Sequence, residues 1–391
     1  MPIETMNTQK ATDRVLWALM AGNFVVGTGV LVVPGALSDI SESLQVSVPA
    51  AGQLISAGAV LMGLGAPSLA AVVARWDRRR LLALSMLWFG ILSGLCALAP
   101  NFTVLLILRV FAVVTPAVFT PQAASCIGLL VPPAQRGRAI SFVFMGWSIA
   151  SVVGMPLGAW LGGMFGWRSA FLAVSLMAVA SAVWVWRELP DHITPAALPL
   201  TAWKQTLRSP VLMLAVAVTL LSAYGQFILF AYFAPYFKLV LGAGPGMLGF
   251  LFFWFGAFGV AGNLLMTRYV DRLGSGRAMT IALACIAASL LLWPLGSTLV
   301  TAALVMTPWA LGCFSSNSAQ QARLAQAAPA LAGATIALNS SAMYAGQALG
   351  AASGGWMISH DSMNSLHWVG FVILLAAVGA SILAGRARGQ A

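Results

Sequence analysis

Long apolar runs alternate with short polar segments along the whole chain. Proline, glycine and polar residues such as Pro100, Asn101, Pro132 and Pro133 interrupt the runs. About 20 apolar residues in a helix cross the hydrocarbon core of a bilayer, so each run is long enough to span a membrane. The pattern predicts twelve membrane-spanning helices, over residues 15–37, 48–73, 81–99, 102–130, 139–161, 168–186, 211–237, 247–267, 278–296, 299–322, 335–357 and 367–384.

A stripe of small residues marks predicted span 5, and a similar stripe returns 196 residues later in span 11. Small residues on one helix face allow a neighbouring helix backbone to approach closely. The two stripes are Gly146, Ala150, Gly154, Gly158 and Gly162, and then Ala342, Gly346, Gly350 and Gly354. Because a repeat at half the chain length indicates duplication, we predict two six-helix units, residues 1–186 and 211–391, joined by a cytoplasmic linker over residues 187–210.

Composition and charge agree with a membrane protein. Hydrophobic residues make up 60% of the chain and charged residues 7%, against about 25% charged in soluble domains. The net charge of +11 is spread over alternate loops, which excludes a nucleic-acid-binding face and predicts that both termini are cytoplasmic. The four cysteines lie in apolar runs without metal-ligand spacing. These features predict a multi-pass protein of the lipid bilayer, with no metal and no cofactor. We also expect it to be a monomer in the inner (plasma) membrane.

Two loops and one helix carry motifs of a known family. The loop after span 2 holds Ala70, Ala74, Arg75, Trp76, Asp77, Arg78 and Arg79, and the loop after span 8 holds Asp271, Arg272, Gly274 and Arg277. Span 5 carries Gly154, Met155, Pro156, Leu157 and Gly158. With these motifs the chain resembles the major facilitator superfamily, in particular its twelve-helix drug:proton antiporters. The resemblance implies an all-α membrane fold of two pseudo-symmetric six-helix bundles.

The resemblance also implies roles for these motifs. The loop residues Arg75, Asp77, Arg78, Arg79, Asp271, Arg272 and Arg277 are expected to close the cytoplasmic side through charge pairs and helix termini. Ala74 occupies the acidic position of the first copy, so that lock is weaker or uses Asp77; the alternative is that the basic residues only anchor the loops. In span 5, Gly154, Pro156 and Gly158 resemble the antiporter motif, and either gating or packing explains them.

Polar groups inside the spans are candidates for a solute-binding cavity. Arg109 is the one charge clearly within a span, which favours a functional role over contact with the outer interface. The other candidates can line a cavity or bond to neighbouring helices. They are Asn23, Tyr224, Gln226, Asn339, Tyr344 and Gln347, with Gln122 and Asn317 as second choices, and Phe24, Trp147, Phe227, Phe230 and Met343 as apolar surface.

All nine acidic residues lie outside the predicted spans or at their ends. Asp39 and Glu42, just after span 1, are the nearest candidates for proton coupling, although solvated loop residues are the alternative. The three histidines, His192, His360 and His367, are weaker candidates. Proton coupling is therefore an expectation from the resemblance.

The half-length repeat and the absence of a catalytic cluster favour a transporter over a membrane enzyme or sensor. The resemblance implies efflux of a small organic solute by alternating access, with protons as the coupling ion, as in branches that export sugars, purine nucleosides or chloramphenicol-like drugs and confer multidrug resistance. A facilitator or uptake carrier without obligatory proton coupling is the alternative, because no carboxylate lies within a predicted span.

Overall fold

The computed structural model describes residues 3–73, 76–132, 135–194, 200–328 and 331–389, and every regular element in these ranges is a helix. The predicted all-α fold is confirmed. The α-helices are α1 (Ile3–Ser43), α2 (Val48–Val72), α3 (Arg78–Ala97), α4 (Phe102–Ala112), α5 (Val114–Leu130), α6 (Arg136–Ile149), α7 (Met155–Phe165), α8 (Trp167–Glu188), α9 (Leu200–Arg208), α10 (Pro210–Phe230), α11 (Phe233–Leu241), α12 (Pro245–Leu273), α13 (Ser275–Leu292), α14 (Leu299–Ala327), α15 (Ala332–Ser359) and α16 (Leu366–Gly389).

Ten segments of the described chain are helical, long and apolar enough to cross a membrane. The predicted spans 2 and 11 correspond to α2 and α15, which have 25 and 28 residues and are also long enough to cross. Helix α15 is less apolar because it carries Asn339 and several serine and glycine residues, and it packs against α10 and α2. The count of twelve crossings stays a prediction.

Three predicted spans are broken by local backbone chemistry. Span 5 consists of α6, a π-helical turn over Ala150–Gly154, and α7. Pro156 is the second residue after this turn and has no N–H to donate, so the regular hydrogen-bond ladder cannot continue through it. Span 4 is interrupted at Val113 between α4 and α5, and span 7 is interrupted between α10 and α11.

The predicted linker contains one unpredicted helix, α9. Its Ala202 and Thr206 side chains are buried, whereas Lys204 and Arg208 are exposed. Its apolar face is too short to stand out as a membrane span, which is why the hydrophobic pattern alone did not indicate a helix here.

The small-residue stripes pack as the sequence predicts. A Cβ added to Gly146 would lie 2.7 Å from Phe24 N, and one added to Gly158 would lie 2.6 Å from Val32 Cγ2, both on α1. In the second stripe, a Cβ at Gly350 would lie 2.7 Å from Tyr224 O on α10. Each stripe therefore carries a close helix contact, with α1 in the N-terminal half (residues 3–188) and with α10 in the C-terminal half (residues 210–389).

Contacts between these halves include a set at the end of the bundle where α1 ends, which we call the Asp39 end. Lys238 on α11 forms ion pairs with Asp39 and Glu42 of α1. Nearby, a Cβ at Gly355 of α15 would lie 3.6 Å from Pro49 Cβ of α2. The halves are thus closed against each other at the Asp39 end.

Candidate functional site

A small cavity, the seam cavity, lies where helices of both halves meet. Its walls come from α1, α2 and α4 of the first half and from α10 and α15 of the second. Its volume is about 40 Å³, far below the roughly 300–1,000 Å³ of pockets that hold an organic ligand, so the cavity is contracted in this conformation. The lining residues are Val30, Leu31, Pro34, Leu54, Ile55, Gly58, Ala59, Met62, Arg109, Val113, Phe227, Phe230, Tyr344 and Gln347.

Helical periodicity explains which residues reach the cavity. Residues three or four apart share a helix face, and the lining residues of α2, from Leu54 to Met62, follow that spacing. Sequence reasoning missed this wall because span 2 is apolar on all sides. Gly58 and Met62 lie four residues apart and therefore on one face of α2, and this spacing was the signal in the sequence for the face that lines the cavity.

Arg109 is the charged residue of the seam cavity. Arg109 is 3% exposed, and its Nε atom is buried without a hydrogen-bond partner. The ion pairs within the described chain join Arg79 to Asp191 and Lys238 to Asp39 and Glu42, so Arg109 has no carboxylate partner there. A buried guanidinium without a counter-charge is costly, which makes it the group in the cavity with the strongest demand for a ligand.

Tyr344 and Gln347, two of the candidates from the sequence, also line the seam cavity. Tyr344 is buried against Met62 and Val113. Within the described part of the chain, neither the Tyr344 hydroxyl nor the Gln347 amide has a hydrogen-bond partner. The cavity therefore combines one cation with two neutral groups that can donate hydrogen bonds.

The structure places other predicted site residues in hydrogen bonds between helices. Asn23 Nδ2 donates to Val143 O at 3.2 Å, and Thr120 donates to Asn23 Oδ1 at 2.7 Å. In the second half, Thr219 donates to Asn339 Oδ1 at 2.5 Å. These bonds join α1 to α5 and α6, and α10 to α15, and neither asparagine lines the seam cavity.

Gln226 and Tyr224 are also outside the lining of the seam cavity. Trp309 Nε1 donates to Gln226 Oε1 at 2.9 Å, and Gln226 Nε2 donates to Ser222. Tyr224 lies at the close contact between α10 and the α15 stripe. Of the second choices, Gln122 is buried in α5, and Asn317 accepts a hydrogen bond from Gln321 on the same helix.

The predicted gating loop after α2 bonds to the segment that follows α8. Asp77 caps α3 by accepting from Arg80 N, and its other oxygen accepts from Ile193 N at 3.0 Å. Arg79 forms an ion pair with Asp191 and donates to Trp186 O at 2.7 Å. Arg78 is buried and donates to Val73 O and Trp76 O.

The other loop candidates and the motif residues of span 5 lie as follows. Arg75 lies outside the described residues, and so does the side chain of Asp271. Arg272 and Arg277 are exposed at the second loop. The motif residues of span 5, Gly154, Pro156 and Gly158, lie at the π-helical turn and its contact with α1.

The proton-coupling candidates Asp39 and Glu42 lie at the closed end instead of in the seam cavity. Lys238 Nζ donates to Asp39 Oδ1 at 2.8 Å and lies 3.6 Å from Glu42 Oε1. The Asp39 and Lys238 side chains are 22% and 27% exposed, whereas Glu42 is 74% exposed. Asp39 is therefore the main partner of Lys238, and the pair joins the two halves.

We expect Asp39→Asn to shift the protein towards conformations open at this end. Partly exposed ion pairs contribute up to about 1 kcal/mol, so the closed-to-open ratio should fall about two- to fivefold. Spin labels at Thr103 and Ser297, exposed positions near the ends of α4 and α13, report this ratio as a distance distribution. Asp361→Asn, at an exposed acid, is the control, and equal distributions for both variants would contradict the prediction.

Comparison with known proteins gives the family. Residues 19–351 match the model of the Major Facilitator Superfamily. The chain belongs to this superfamily. The inner membrane transport protein YdhP of Escherichia coli O157:H7 is 30% identical over 344 residues, which cover 88% of each chain. A probable sugar efflux transporter of Helicobacter pylori (strain HPAG1) is 28% identical and covers 97% of both chains.

Solved structures agree with the major facilitator fold. A bacterial homologue of the human lysosomal transporter Spinster superposes with a TM-score of 0.75 at 17% identity and covers 96% of this chain and 97% of its own. A D-xylose–proton symporter gives a TM-score of 0.74 at 16% identity and covers 94% and 97%. The family resemblance seen in the sequence is confirmed. As a member of the major facilitator superfamily, the protein is a membrane transporter and not an enzyme.

Proposed function

We propose that this protein is a secondary efflux transporter that carries a small organic solute across the inner membrane by alternating access. One observation carries the proposal: the seam cavity takes its walls from both halves of the chain and lies beside contacts that close one end. A site between two halves is reached from each side in turn when the halves rock. The relatives named as sugar efflux transporters support export as the direction.

In this proposal the two six-helix bundles, residues 1–186 and 211–391, move as units around the linker of residues 187–210, and the protein works as a monomer. The basic loops with Arg78, Arg79, Arg272 and Arg277 face the cytoplasm together with both termini. The Asp39 end then faces outwards. Arg109, Tyr344 and Gln347 contact the solute, while Asn23, Tyr224, Gln226 and Asn339 act on the cavity through the helices they join.

We propose proton antiport as the energy source, with Asp39 as the coupling residue and Glu42 as its neighbour. Protonation of Asp39 removes the negative charge that attracts Lys238, so protons arriving from outside weaken the closed end. This links proton binding to the opening of the transporter.

Inverted membrane vesicles test this coupling. A panel of sugars, nucleosides, drugs and organic acids first identifies a solute against which expression protects growing cells. Adding that solute to vesicles with an acidic lumen should dissipate the imposed pH gradient. The double variant Asp39→Asn, Glu42→Gln should lose this proton release but keep solute exchange, whereas Asp361→Asn should behave as the native protein. An unchanged gradient with the native protein would exclude antiport.

A second candidate is a facilitator or uptake carrier without obligatory proton coupling. The observation that favours it is the composition of the seam cavity, whose lining contains Arg109 but no carboxylate among the described residues. Solute exchange that is insensitive to pH in the vesicles, with the gradient unchanged, would select this candidate over antiport.

A further inference from the structure

The charge balance of the seam cavity indicates which solutes it binds. Arg109 lies in the wall of the cavity, is 3% exposed and has a buried Nε without a hydrogen-bond partner. In an environment of low polarity, an unpaired cation is far more costly than one that binds an anion. The residue therefore needs a negative charge from another source.

The described part of the protein supplies no such charge near the cavity. Asp39 and Glu42 are bound to Lys238, and Asp191 is bound to Arg79. Asp77 accepts hydrogen bonds at the start of α3. Asp13 and Asp361 are exposed, and Glu188 is the last residue of α8, a helix that contributes nothing to the lining.

The rest of the lining indicates what kind of anion would bind beside Arg109. Tyr344 and Gln347 present a hydroxyl and an amide without partners in the described chain. The other lining residues are apolar, and Phe227 and Phe230 add two aromatic rings. A guanidinium binds a carboxylate through two parallel hydrogen bonds, while the apolar walls suit a hydrocarbon body.

We infer that the solute carried by this protein is a small organic monoanion, a carboxylate with an apolar or aromatic body, whose carboxylate binds Arg109. The inference rests on the proposed transport function and narrows its substrate class. The single positive charge of the lining matches one negative charge on the solute.

Matched acid and amide pairs test this inference on the purified full-length protein in detergent. The probes are benzoate with benzamide, phenylacetate with phenylacetamide, and octanoate with octanamide, at equal ionic strength. We expect at least one acid to raise the midpoint of thermal unfolding while its amide does not. Sodium chloride and sodium phosphate form a further arm, because an inorganic anion could also pair with a guanidinium; neither should match the protecting acid.

Two variants connect the effect to the cavity. Arg109→Gln should weaken binding of the protecting acid at least tenfold, because a charge-assisted hydrogen bond to the carboxylate is lost. Arg168→Gln is the matched control, since Arg168 is exposed and outside the lining. Gln347→Glu places a carboxylate inside the cavity; it should abolish protection by the acid and raise the unfolding midpoint of the ligand-free protein, because Arg109 gains an internal partner. This variant tests the inference even where Arg109→Gln does not fold.

Several results would overturn the inference: no acid protects, the amides protect as well as the acids, chloride or phosphate protects as well as the acids, or Gln347→Glu binds the acid as tightly as the native protein. Failure of the proposed transport is recognised separately in proteoliposomes. Binding of an acid without its exchange across the membrane would leave Arg109 as a carboxylate-binding site and remove the transport proposal. Exchange of neutral solutes but of no acid would leave the transport proposal standing and overturn the inference.

Discussion

A disulfide between residues 49 and 355 is expected to stop transport until it is reduced. A Cβ at Gly355 on α15 would lie 3.6 Å from Pro49 Cβ on α2, within the range of about 3.5–4.5 Å found in disulfides. The bond would join the two halves at the Asp39 end. Because alternating access requires these halves to separate there, we expect solute exchange to fall by at least tenfold under oxidation and to return with reductant.

The pair Pro49→Cys, Gly355→Cys should be built in a Tyr232→Phe background. The Tyr232 hydroxyl would lie 2.6 Å from a Cβ at residue 355, and the phenylalanine removes that obstacle. Replacing the four native cysteines by alanine excludes other disulfides. Exchange of the solute identified by the growth screen, measured in proteoliposomes before and after reduction, gives the result.

A second pair provides the control within one half. A Cβ at Gly35 on α1 would lie 3.6 Å from Ala159 Cβ on α7. The variant Gly35→Cys, Ala159→Cys in the same background has the same Cβ–Cβ distance and joins two helices of the N-terminal half. If the halves move as units, this disulfide leaves exchange nearly unchanged. Full exchange through the oxidised 49–355 pair would show that the closed end does not open during transport.

Gly256→Ala is expected to move the protein strongly away from the closed conformation. Gly256 lies on α12 and faces the π-helical turn of the other half, and an added Cβ would lie 2.7 Å from Val152 Cα and closer still to Ser151 O. These obstacles are backbone atoms, so no side-chain rotation relieves them. Overpacking of this kind costs about 1–3 kcal/mol, which corresponds to a change of about 5- to 150-fold in the closed-to-open ratio.

The spin-label distance between residues 103 and 297 measures this change, and solute exchange should fall about tenfold with it. Gly249→Ala is the matched control on the same helix, because no atom lies within 4 Å of a Cβ added there. Ser151→Gly should fail to rescue Gly256→Ala, since it leaves the obstructing backbone in place. Equal effects of Gly249→Ala and Gly256→Ala would mean that the contact between α12 and the turn does not hold the halves together.

The seam cavity was partly predictable from the sequence. Arg109, Tyr344 and Gln347 were proposed as cavity residues because a polar group in an apolar helix needs a partner, and all three line the cavity. Asn23 and Asn339 met the same criterion but bond to neighbouring helices. The sequence could not separate the two groups, because each helix can rotate about its own axis until packing fixes the face it presents.

The amino-acid sequence by itself determined that the protein is a helical membrane protein and that its two small-residue stripes carry close helix contacts. Both properties follow from local patterns, the length of apolar runs and the spacing of residues on one helix face. Only the tertiary structure decided that Lys238 pairs with Asp39, that α2 forms a cavity wall, and that Arg109 lies buried without a carboxylate partner in the described chain. These features join residues far apart in the sequence, and their positions depend on how the two halves pack against each other.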